Sequence, residues 1–387
     1  MLNFPLKIKG DRGIWSIVIL LGLISILVVY SSIVTLAYKH QGGNTLYYLF
    51  RHSIFMVLGF AIIYGVSRVK FTYFSKVALI GFYISIPLLV FTLFKGENIN
   101  DASRWIRIPI IGWTFQTSDL AKLTLIMYIA RILAIQQKSK EKDSFKKGYL
   151  PLIVPVIVVC LLIFPANFST SALLFTSSFV LMFIGGVKLK YLLGTILVIA
   201  VSGFLFFLIG KNFPAVTPKR FQTWVSRVES FRGNETKENY QAEQSKIAIA
   251  TGGVLGKGPG KSTQRNFLPH PYSDFIYAIV IEEYGLAGGI FVLLLYLMIL
   301  FRSIKIIVNA ERNFAKFLVA GICFLMVFQG LINMAVAVGL MPVTGQPLPL
   351  ISMGGTSTWF TCLSIGIILS VSSSQENSNS NINAAKA

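Results

Sequence analysis

Asp274 stands at the point where a polar segment meets a long apolar run. The polar segment reads Asn-Phe-Leu-Pro-His-Pro-Tyr-Ser-Asp over residues 266–274, and the apolar run follows directly. At a membrane surface, this carboxylate could accept a proton from a sugar hydroxyl that attacks a lipid-linked donor. The pattern suits a structural role equally well, because Ser273 would be a favourable helix N-cap and the helix dipole favours a carboxylate in the first turn.

A second polar group lies at residues 116–122, which read Gln-Thr-Ser-Asp-Leu-Ala-Lys. Asp119 and Lys122 are three residues apart and would share one face of a helix. They could form a self-neutralising pair that makes burial tolerable, or a cationic site for an anionic lipid headgroup. Arg104 and Arg107 precede them in the same loop, which favours the headgroup site.

Glu282 and Glu283 lie about two turns beyond Asp274 in the same apolar run. A carboxylate inside a bilayer costs roughly 2.5–3.5 kcal/mol on insertion scales, so such residues are usually paired or functional. On a helix, Glu282 projects about 80° away from Asp274 and Glu283 points nearly opposite to it. Neither acid is therefore expected to share a site with Asp274, and structural pairing and function both stay open for them.

A glycine-rich run covers residues 252–260 and is followed by Lys261 and Arg265. A nucleotide-binding P-loop is excluded, because Leu255 occupies the position of its first glycine and no strand leads into the run. A turn whose backbone N–H groups meet an anion stays open.

A segment broken by proline and glycine, residues 339–357, precedes the last apolar run. It contains the polar residues Thr344 and Ser352. Irregular backbone at membrane depth is tolerated only against protein or a water-filled cavity. The pattern predicts that this segment lines a vestibule.

The composition indicates what must position these residues. The chain is 54% hydrophobic and 13% charged, whereas soluble domains carry about 25% charged residues. Apolar runs long enough to cross a bilayer recur along it, so a soluble enzyme is excluded. We expect an all-α polytopic membrane protein with about ten transmembrane helices. The predicted spans are residues 14–37, 48–67, 74–94, 117–135, 150–166, 169–187, 190–209, 274–301, 314–338 and 351–372.

The formal net charge of +20 fits a membrane protein without any nucleic-acid partner. Lys and Arg cluster in the loops that are cytoplasmic when the N-terminus is inside, and the positive-inside rule then places both termini in the cytoplasm. No DNA- or RNA-binding motif or zinc spacing accompanies the charge.

One large extracytoplasmic loop, residues 210–273, is predicted between spans 7 and 8. It contains an aromatic and basic segment at 220–224, a helical candidate at 240–251 and the glycine-rich run, which together favour a folded outer surface. Residues 1–373 would form a single transmembrane domain. Residues 374–387 are polar and are predicted to be a disordered cytoplasmic tail.

Three of these segments together resemble the SEDS family (shape, elongation, division and sporulation). They are residues 102–106 with 116–122, residues 256–283 and residues 339–357. The last is similar to the family signature G-L-x-P-V-T-G-x-P-L-P-x-x-S-x-G-G-S-S. The chain looks most like the cell-division branch, with the elongation branch as the close alternative.

The resemblance implies a peptidoglycan glycosyltransferase that polymerises lipid II on the outer face of the bacterial cytoplasmic membrane, at the division septum. It implies as partners an undecaprenyl-pyrophosphate-linked glycan strand, a class B penicillin-binding protein transpeptidase and other division-complex membrane proteins. Asp274 corresponds to the family's essential loop carboxylate. Five further residues of this chain match polar positions of the family's outer cavity: Arg104, Gln116, Ser118, Asp119 and Lys122. The family often has glutamate where this chain has His270 and Asp119, and the family's acidic E-P-D segment reads Phe-Pro-Ala-Asn over residues 164–167 here.

Our hypothesis is an inverting glycosyl transfer in which Asp274 deprotonates the 4-hydroxyl of an acceptor GlcNAc. The leaving pyrophosphate needs its charge stabilised. The basic residues that could stabilise this charge are Lys122, Arg104, Lys257, Lys261 and Arg265. Thr344 and Ser352 are candidate substrate contacts. A divalent cation, Mg²⁺ or Mn²⁺, could also stabilise the pyrophosphate charge, although no motif demands one.

Two other functions compete with this hypothesis. One is a lipid II transporter with a polar pathway at Asp119, Lys122, Glu282 and Glu283. The other is a non-catalytic scaffold that activates a transpeptidase.

Overall fold

The computed structural model describes residues 8–99, 102–107, 114–137, 139, 143–212 and 237–386. Within them, a helix occupies each of the ten predicted spans. The helices are α1 (Arg12–Ser32), α2 (Val34–Gln41), α3 (Thr45–Ser67), α4 (Phe74–Lys95), α5 (Thr117–Gln136), α6 (Leu150–Ile163), α7 (Phe168–Ile184), α8 (Leu189–Asn212), α9 (Lys237–Gly252), α10 (Ile276–Asn309), α11 (Asn313–Ala337) and α12 (Thr356–Lys386).

Seven helical segments of the described chain are long and apolar enough to cross a membrane. They include α1, α3, α10 and α11. Their outer faces expose large apolar side chains, as in α3, where Phe50 is 73% exposed and Val57 is 66% exposed, and lipid is the environment that accepts such faces. The chain is therefore an all-α integral membrane protein. Helix α7 and the apolar part of α8 are shorter, so the count of ten spans and the orientation of the bundle stay predictions.

Helix α11 forms the centre of the bundle and packs against α5, α7, α10 and α12. Gly321 allows the close approach of two of these neighbours. A Cβ atom at this position would lie 2.6 Å from Ile126 Cγ2 and 2.7 Å from Leu181 Cδ2. Because α11 touches so many elements, polar side chains on it can reach segments that are distant in sequence.

A three-stranded antiparallel sheet precedes α5, where the sequence predicted only a loop. Its strands are β1 (Glu97–Ile99), β2 (Ala102–Arg107) and β3 (Thr114–Gln116). Trp105 pairs with Gln116 across β2 and β3. The strands are too short for the two-residue alternation of a half-buried strand to be read from the sequence. The sheet places β2 next to the start of α5.

Helix α9 confirms the helix predicted at residues 240–251 of the long loop. The aromatic and basic segment of that loop, residues 220–224, lies outside the described residues. Helix α12 continues to Lys386, through residues predicted to form a disordered tail. No proline or glycine interrupts the chain after Ser373, so nothing in the backbone forces the helix to end at the membrane surface. Disorder of this tail in solution stays a prediction.

Candidate active site

A cavity of about 450 Å³ is enclosed by α3, α5, α11 and α12, together with strands β2 and β3, the loop before α10 and the segment before α12. It therefore brings together pieces of chain that are far apart in sequence. Six residues predicted from the sequence line it: Arg104, Gln116, Asp119, Lys122, Asp274 and Ser352.

The Asp274 carboxylate is half-buried in this cavity and accepts a hydrogen bond of 2.8 Å from the Ser273 hydroxyl to Oδ1. Its other oxygen, Oδ2, lies beside Gly345, where a Cβ atom would be 3.5 Å away. Burial raises the pKa of the neighbouring Tyr272 phenol, and the negative charge of Asp274 raises that pKa further. The phenol therefore stays protonated at neutral pH, and Asp274 is the acidic group at this end of the cavity.

The predicted N-cap at Ser273 is wrong. Helix α10 begins at Ile276, and its N-cap position is Phe275, which has no side-chain capping bond. The reason is that the carbonyls of Ser273 and Asp274 are occupied by donors from outside the helix, the Ser352 hydroxyl at 2.7 Å and the Asn333 amide at 2.8 Å. Asp274 thus precedes the helix and does not belong to its first turn.

Asp119 and Lys122 form the pair that their spacing predicts. Lys122 Nζ lies 2.8 Å from Asp119 Oδ1 and 3.4 Å from Gln329 Oε1. The Ser357 hydroxyl donates to the second oxygen of Asp119. Both members of the pair are buried, yet both line the cavity. Burial makes the ammonium charge more effective toward an anion than it would be in bulk water.

The sheet and the start of α5 position two further polar residues of the cavity lining, Arg104 and Gln116. Arg104 Nε donates to the Ala166 carbonyl at 2.8 Å, which holds β2 against the start of α7. Gln116 Nε2 donates to the Ser118 hydroxyl at 2.9 Å. Ser118 is buried behind Gln116 and is absent from the described residues that line the cavity.

The broken segment before α12 forms another wall of the cavity, as its composition predicts. Ser352 is buried, and its hydroxyl accepts a 2.7 Å hydrogen bond from the Leu348 N–H and donates to the Ser273 carbonyl. It therefore connects two loops. Thr344 belongs to the same segment but is absent from the described lining residues. Leu350 has a positive φ of 66°, a conformation that is costly for a side chain of this size.

Glu282 and Glu283 lie outside the cavity lining and bind the loop after α9. Glu282 accepts hydrogen bonds from the Thr263 N–H at 3.0 Å and the Ser262 hydroxyl, and its Oε1 lies 2.6 Å from Lys257 Nζ. Glu283 accepts a hydrogen bond from the Ser31 hydroxyl of α1. Structural pairing is thus observed for Glu282, whereas Glu283 is held by hydrogen bonds from Ser31 and from the Ser262 N–H at 3.4 Å.

The glycine-rich run packs directly against α10, and the contact is made mainly by backbone atoms. Within the same contact, the N–H groups of Lys257 and Gly258 donate to the carbonyls of Glu282 and Glu283, each at 2.9 Å. Helix α10 is broken there at Gly285, whose φ is 71°. A Cβ atom at this glycine would lie 2.1 Å from the Val254 carbonyl oxygen, so the close approach of the two backbones requires glycine.

The three basic residues predicted for this region do not line the cavity of the described chain. Lys257 pairs with Glu282, and Arg265 Nη1 donates to the Ser31 carbonyl at 3.1 Å. Lys261 is exposed. Sequence proximity to Asp274 is misleading here, because the acids of α10 draw Lys257 and the loop away from the cavity.

Several cavity residues were missed by the sequence analysis, among them His52 and Gln329. Asn333 was missed as well, although it donates to the Asp274 carbonyl. Gln329 and Asn333 are polar residues four positions apart in the apolar run of α11. Uncharged polar side chains inside a membrane helix usually bond to another segment, and this signal could have identified them.

In the part of the chain that the structure describes, the residues do not form a protein-built metal site. No three His, Cys, Asp or Glu side chains come together in the described part of the chain. Of the cavity carboxylates, Asp119 is engaged by Lys122 and Ser357. A requirement for Mg²⁺ or Mn²⁺ stays a prediction, which addition of EDTA and return of the cation would test.

Comparison with known proteins agrees with this architecture. A family model for cell cycle proteins, named after FtsW, RodA and SpoVE, matches residues 11–377. The chain belongs to the FtsW/RodA/SpoVE family. The resemblance found in the sequence is thereby confirmed, and members of this family are known in several bacteria.

Two relatives in this family are each described as "Probable peptidoglycan glycosyltransferase FtsW". The protein of Geobacter metallireducens is 33% identical over 382 residues, covering 96% of this chain and 98% of its own length. The protein of Coxiella burnetii is 31% identical over 380 residues, covering 96% and 98%.

Solved structures share the fold of this family member. A chain from "Structural coordination of polymerization and crosslinking by a peptidoglycan synthase complex" has a TM-score of 0.73 at 21% identity, covering 95% of this chain and 98% of that one. The rod shape determining protein RodA of Thermus thermophilus has a TM-score of 0.67 at 22% identity, covering 94% and 97%.

Proposed function

We propose that the protein is a peptidoglycan glycosyltransferase that polymerises lipid II. The observation that carries this proposal is that Asp274 and Lys122 line one cavity. Transfer of a sugar from a pyrophosphate donor needs a base for the attacking hydroxyl and positive charge for the leaving group. The descriptions of the curated relatives support the same activity.

In the proposed reaction, Asp274 accepts the proton of the acceptor's 4-hydroxyl as that oxygen attacks the anomeric carbon of the donor. The bond from the anomeric carbon to the pyrophosphate oxygen breaks, and the configuration at that carbon is inverted. The pyrophosphate leaves with its electron pair. Lys122 and Arg104 stabilise the developing charge, while the Ser273 hydroxyl orients the Asp274 carboxylate.

Lys122→Met is expected to lower kcat/KM for lipid II by about 100-fold, the usual effect of removing one donor to a developing anion. Initial rates of polymerisation measure this. The control is the double variant Asp119→Asn/Lys122→Met, which removes both charges of the buried pair and should stay as slow as the single variant. Recovery of activity in the double variant would mean that Lys122 only neutralises Asp119.

We further propose that the protein works in the bacterial cytoplasmic membrane, at the division septum, with a class B penicillin-binding protein transpeptidase. The relatives described as FtsW favour division over elongation. A fold neighbour comes from a complex that couples polymerisation to crosslinking, which supports a transpeptidase partner. Other division-complex membrane proteins and the undecaprenyl-pyrophosphate-linked glycan strand are proposed from the family resemblance.

Transport of lipid II is the competing function, and one observation weakens it. A polar pathway was expected to include Glu282 and Glu283, but these acids bind the loop after α9 and are absent from the described residues that line the cavity. Vesicles that contain labelled lipid II and the purified protein distinguish the two functions. We expect glycan polymer in these vesicles; transfer of lipid II between leaflets without any polymer would refute the proposed activity.

A further inference from the structure

Three consecutive backbone carbonyls before α10 are each held by a donor from elsewhere in the fold. The Met353 N–H donates to the Tyr272 carbonyl at 2.9 Å. The Ser352 hydroxyl and the Asn333 amide donate to the next two carbonyls, those of Ser273 and Asp274. The backbone that carries the proposed base is therefore fixed from two directions, by the segment before α12 and by α11.

Asn333 contributes to this arrangement with both of its amide protons. Its Nδ2 atom donates to the Asp274 carbonyl at 2.8 Å and to the Gln346 carbonyl at 2.7 Å. Both partners are carbonyl oxygens, which only accept hydrogen bonds, so the NH₂ group must face them and the amide orientation is determined. The side chain is 1% exposed.

The amide oxygen of Asn333 is buried without a hydrogen-bond partner in the described chain. An unsatisfied buried acceptor costs about 1–3 kcal/mol. An apolar side chain at this position of a membrane helix would avoid that penalty. The two N–H bonds must offset that penalty, since they satisfy carbonyls of two other segments.

The two bonds connect the two sides of the proposed base. One reaches the backbone of Asp274 itself, and the other reaches Gln346, which directly follows Gly345. Gly345 is the residue beside Asp274 Oδ2. Gln346 in turn donates to the Thr170 hydroxyl of α7 at 2.8 Å. Asn333 therefore sets the distance between the carboxylate and the cavity wall that faces it.

We propose that Asn333 is a positioning residue for Asp274, holding the carboxylate at the place where it meets the attacking sugar hydroxyl. This inference rests on the proposed glycosyl transfer. It assigns Asn333 no contact with substrate, so its loss should affect the rate of the chemical step far more than binding. A misplacement of about 1 Å can cost about 100-fold in rate.

The test compares Asn333→Asp with a matched control, Ser245→Ala, in the full-length protein. Aspartate keeps the size of asparagine, but even a protonated carboxyl has a single O–H donor and cannot hold both carbonyls. Ser245 is equally buried, and its hydroxyl donates to the Ala337 carbonyl of α11 at 2.7 Å, not to a carbonyl of residues 272–274. Each variant therefore loses buried bonding to a carbonyl.

Two measurements are made on each variant: kcat and KM for lipid II, and the rate at which a water-soluble carbodiimide labels Asp274, read by mass spectrometry. For Asn333→Asp we expect kcat to fall about 100-fold, KM to change by less than about threefold and labelling of Asp274 to change severalfold. Ser245→Ala should match the wild type in kcat, in KM and in the labelling rate of Asp274. If Asn333→Asp does not fold, Asn333→Ser, which can donate one hydrogen bond, is used with the same criteria.

A folded Asn333 variant with wild-type kcat and wild-type labelling would overturn the proposal. Equal losses of kcat in the Asn333 variant and in Ser245→Ala would also overturn it, because any buried hydrogen bond of α11 would then have the same effect on the rate. The labelling rate does not depend on activity. A wild type that makes no polymer would count against the proposed function, whereas labelling would still decide whether Asn333 positions Asp274.

Discussion

Asp274→Asn is expected to lower the rate of lipid II polymerisation by about 10²- to 10⁴-fold, the range that a positioned general base contributes. Asparagine has nearly the same shape and can keep a hydrogen bond with the Ser273 hydroxyl. It cannot take up the proton of the attacking sugar. Folding should be unaffected, because Asp274 lies before α10 and its side chain does not cap that helix. Initial rates at saturating lipid II measure the change.

The control for this prediction is Asp274→Ser, which would suit a helix cap but supplies no base. It should be as inactive as Asp274→Asn, while detergent-solubilised protein elutes and unfolds like the wild type. Polymerisation by Asp274→Ser at near wild-type rates would contradict a general base at this position. It would favour the hypothesis that the protein only activates its transpeptidase.

Glu282→Gln is expected to destabilise the folded protein by about 1–3 kcal/mol, because the buried side chain would lose charge-assisted hydrogen bonds while Lys257, 27% exposed, can still be hydrated. The Glu282 side chain has no exposure, and its oxygens accept bonds from Lys257, Ser262 and Thr263. A glutamine would turn its NH₂ group toward these donors and leave Lys257 without a counter-charge. Thermal unfolding in detergent, followed by intrinsic fluorescence, measures the loss.

The matched control is Asp143→Asn, which breaks the Lys188–Asp143 ion pair of 3.1 Å, where both side chains are exposed. An exposed pair contributes at most about 1 kcal/mol, so this variant should unfold close to the wild-type temperature. If Glu282→Gln were as stable as the wild type but inactive, Glu282 would have a direct role in function, and the structural account of the acids on α10 would be wrong.

Much of the helical architecture could be predicted because it depends on local composition. Each apolar run corresponds to a helix, and the spacing of Asp119 and Lys122 predicts their ion pair. A bilayer excludes unpaired backbone groups, so a long apolar run has few alternatives to a helix. The broken segment before α12 was likewise recognisable as a cavity wall from its prolines and glycines.

The errors concern residues whose position is decided by distant segments. Ser273 has the chemistry of an N-cap, but bonds to the carbonyls before Phe275 delay the start of α10. Lys257 lies close to Asp274 in sequence, yet Glu282 binds it outside the cavity. Asn333 reaches Asp274 across 59 residues of sequence. Periodicity and spacing carry no information about such long-range partners.

The central claim is that this protein itself forms glycan strands from lipid II, with Asp274 as the base. The most direct measurement incubates labelled lipid II with purified protein and a class B transpeptidase, for the wild type and for Asp274→Asn, and separates the products by gel electrophoresis. We predict a ladder of glycan polymer from the wild type alone. No polymer from a folded, partner-bound wild type, or equal polymer from both proteins, would contradict the claim.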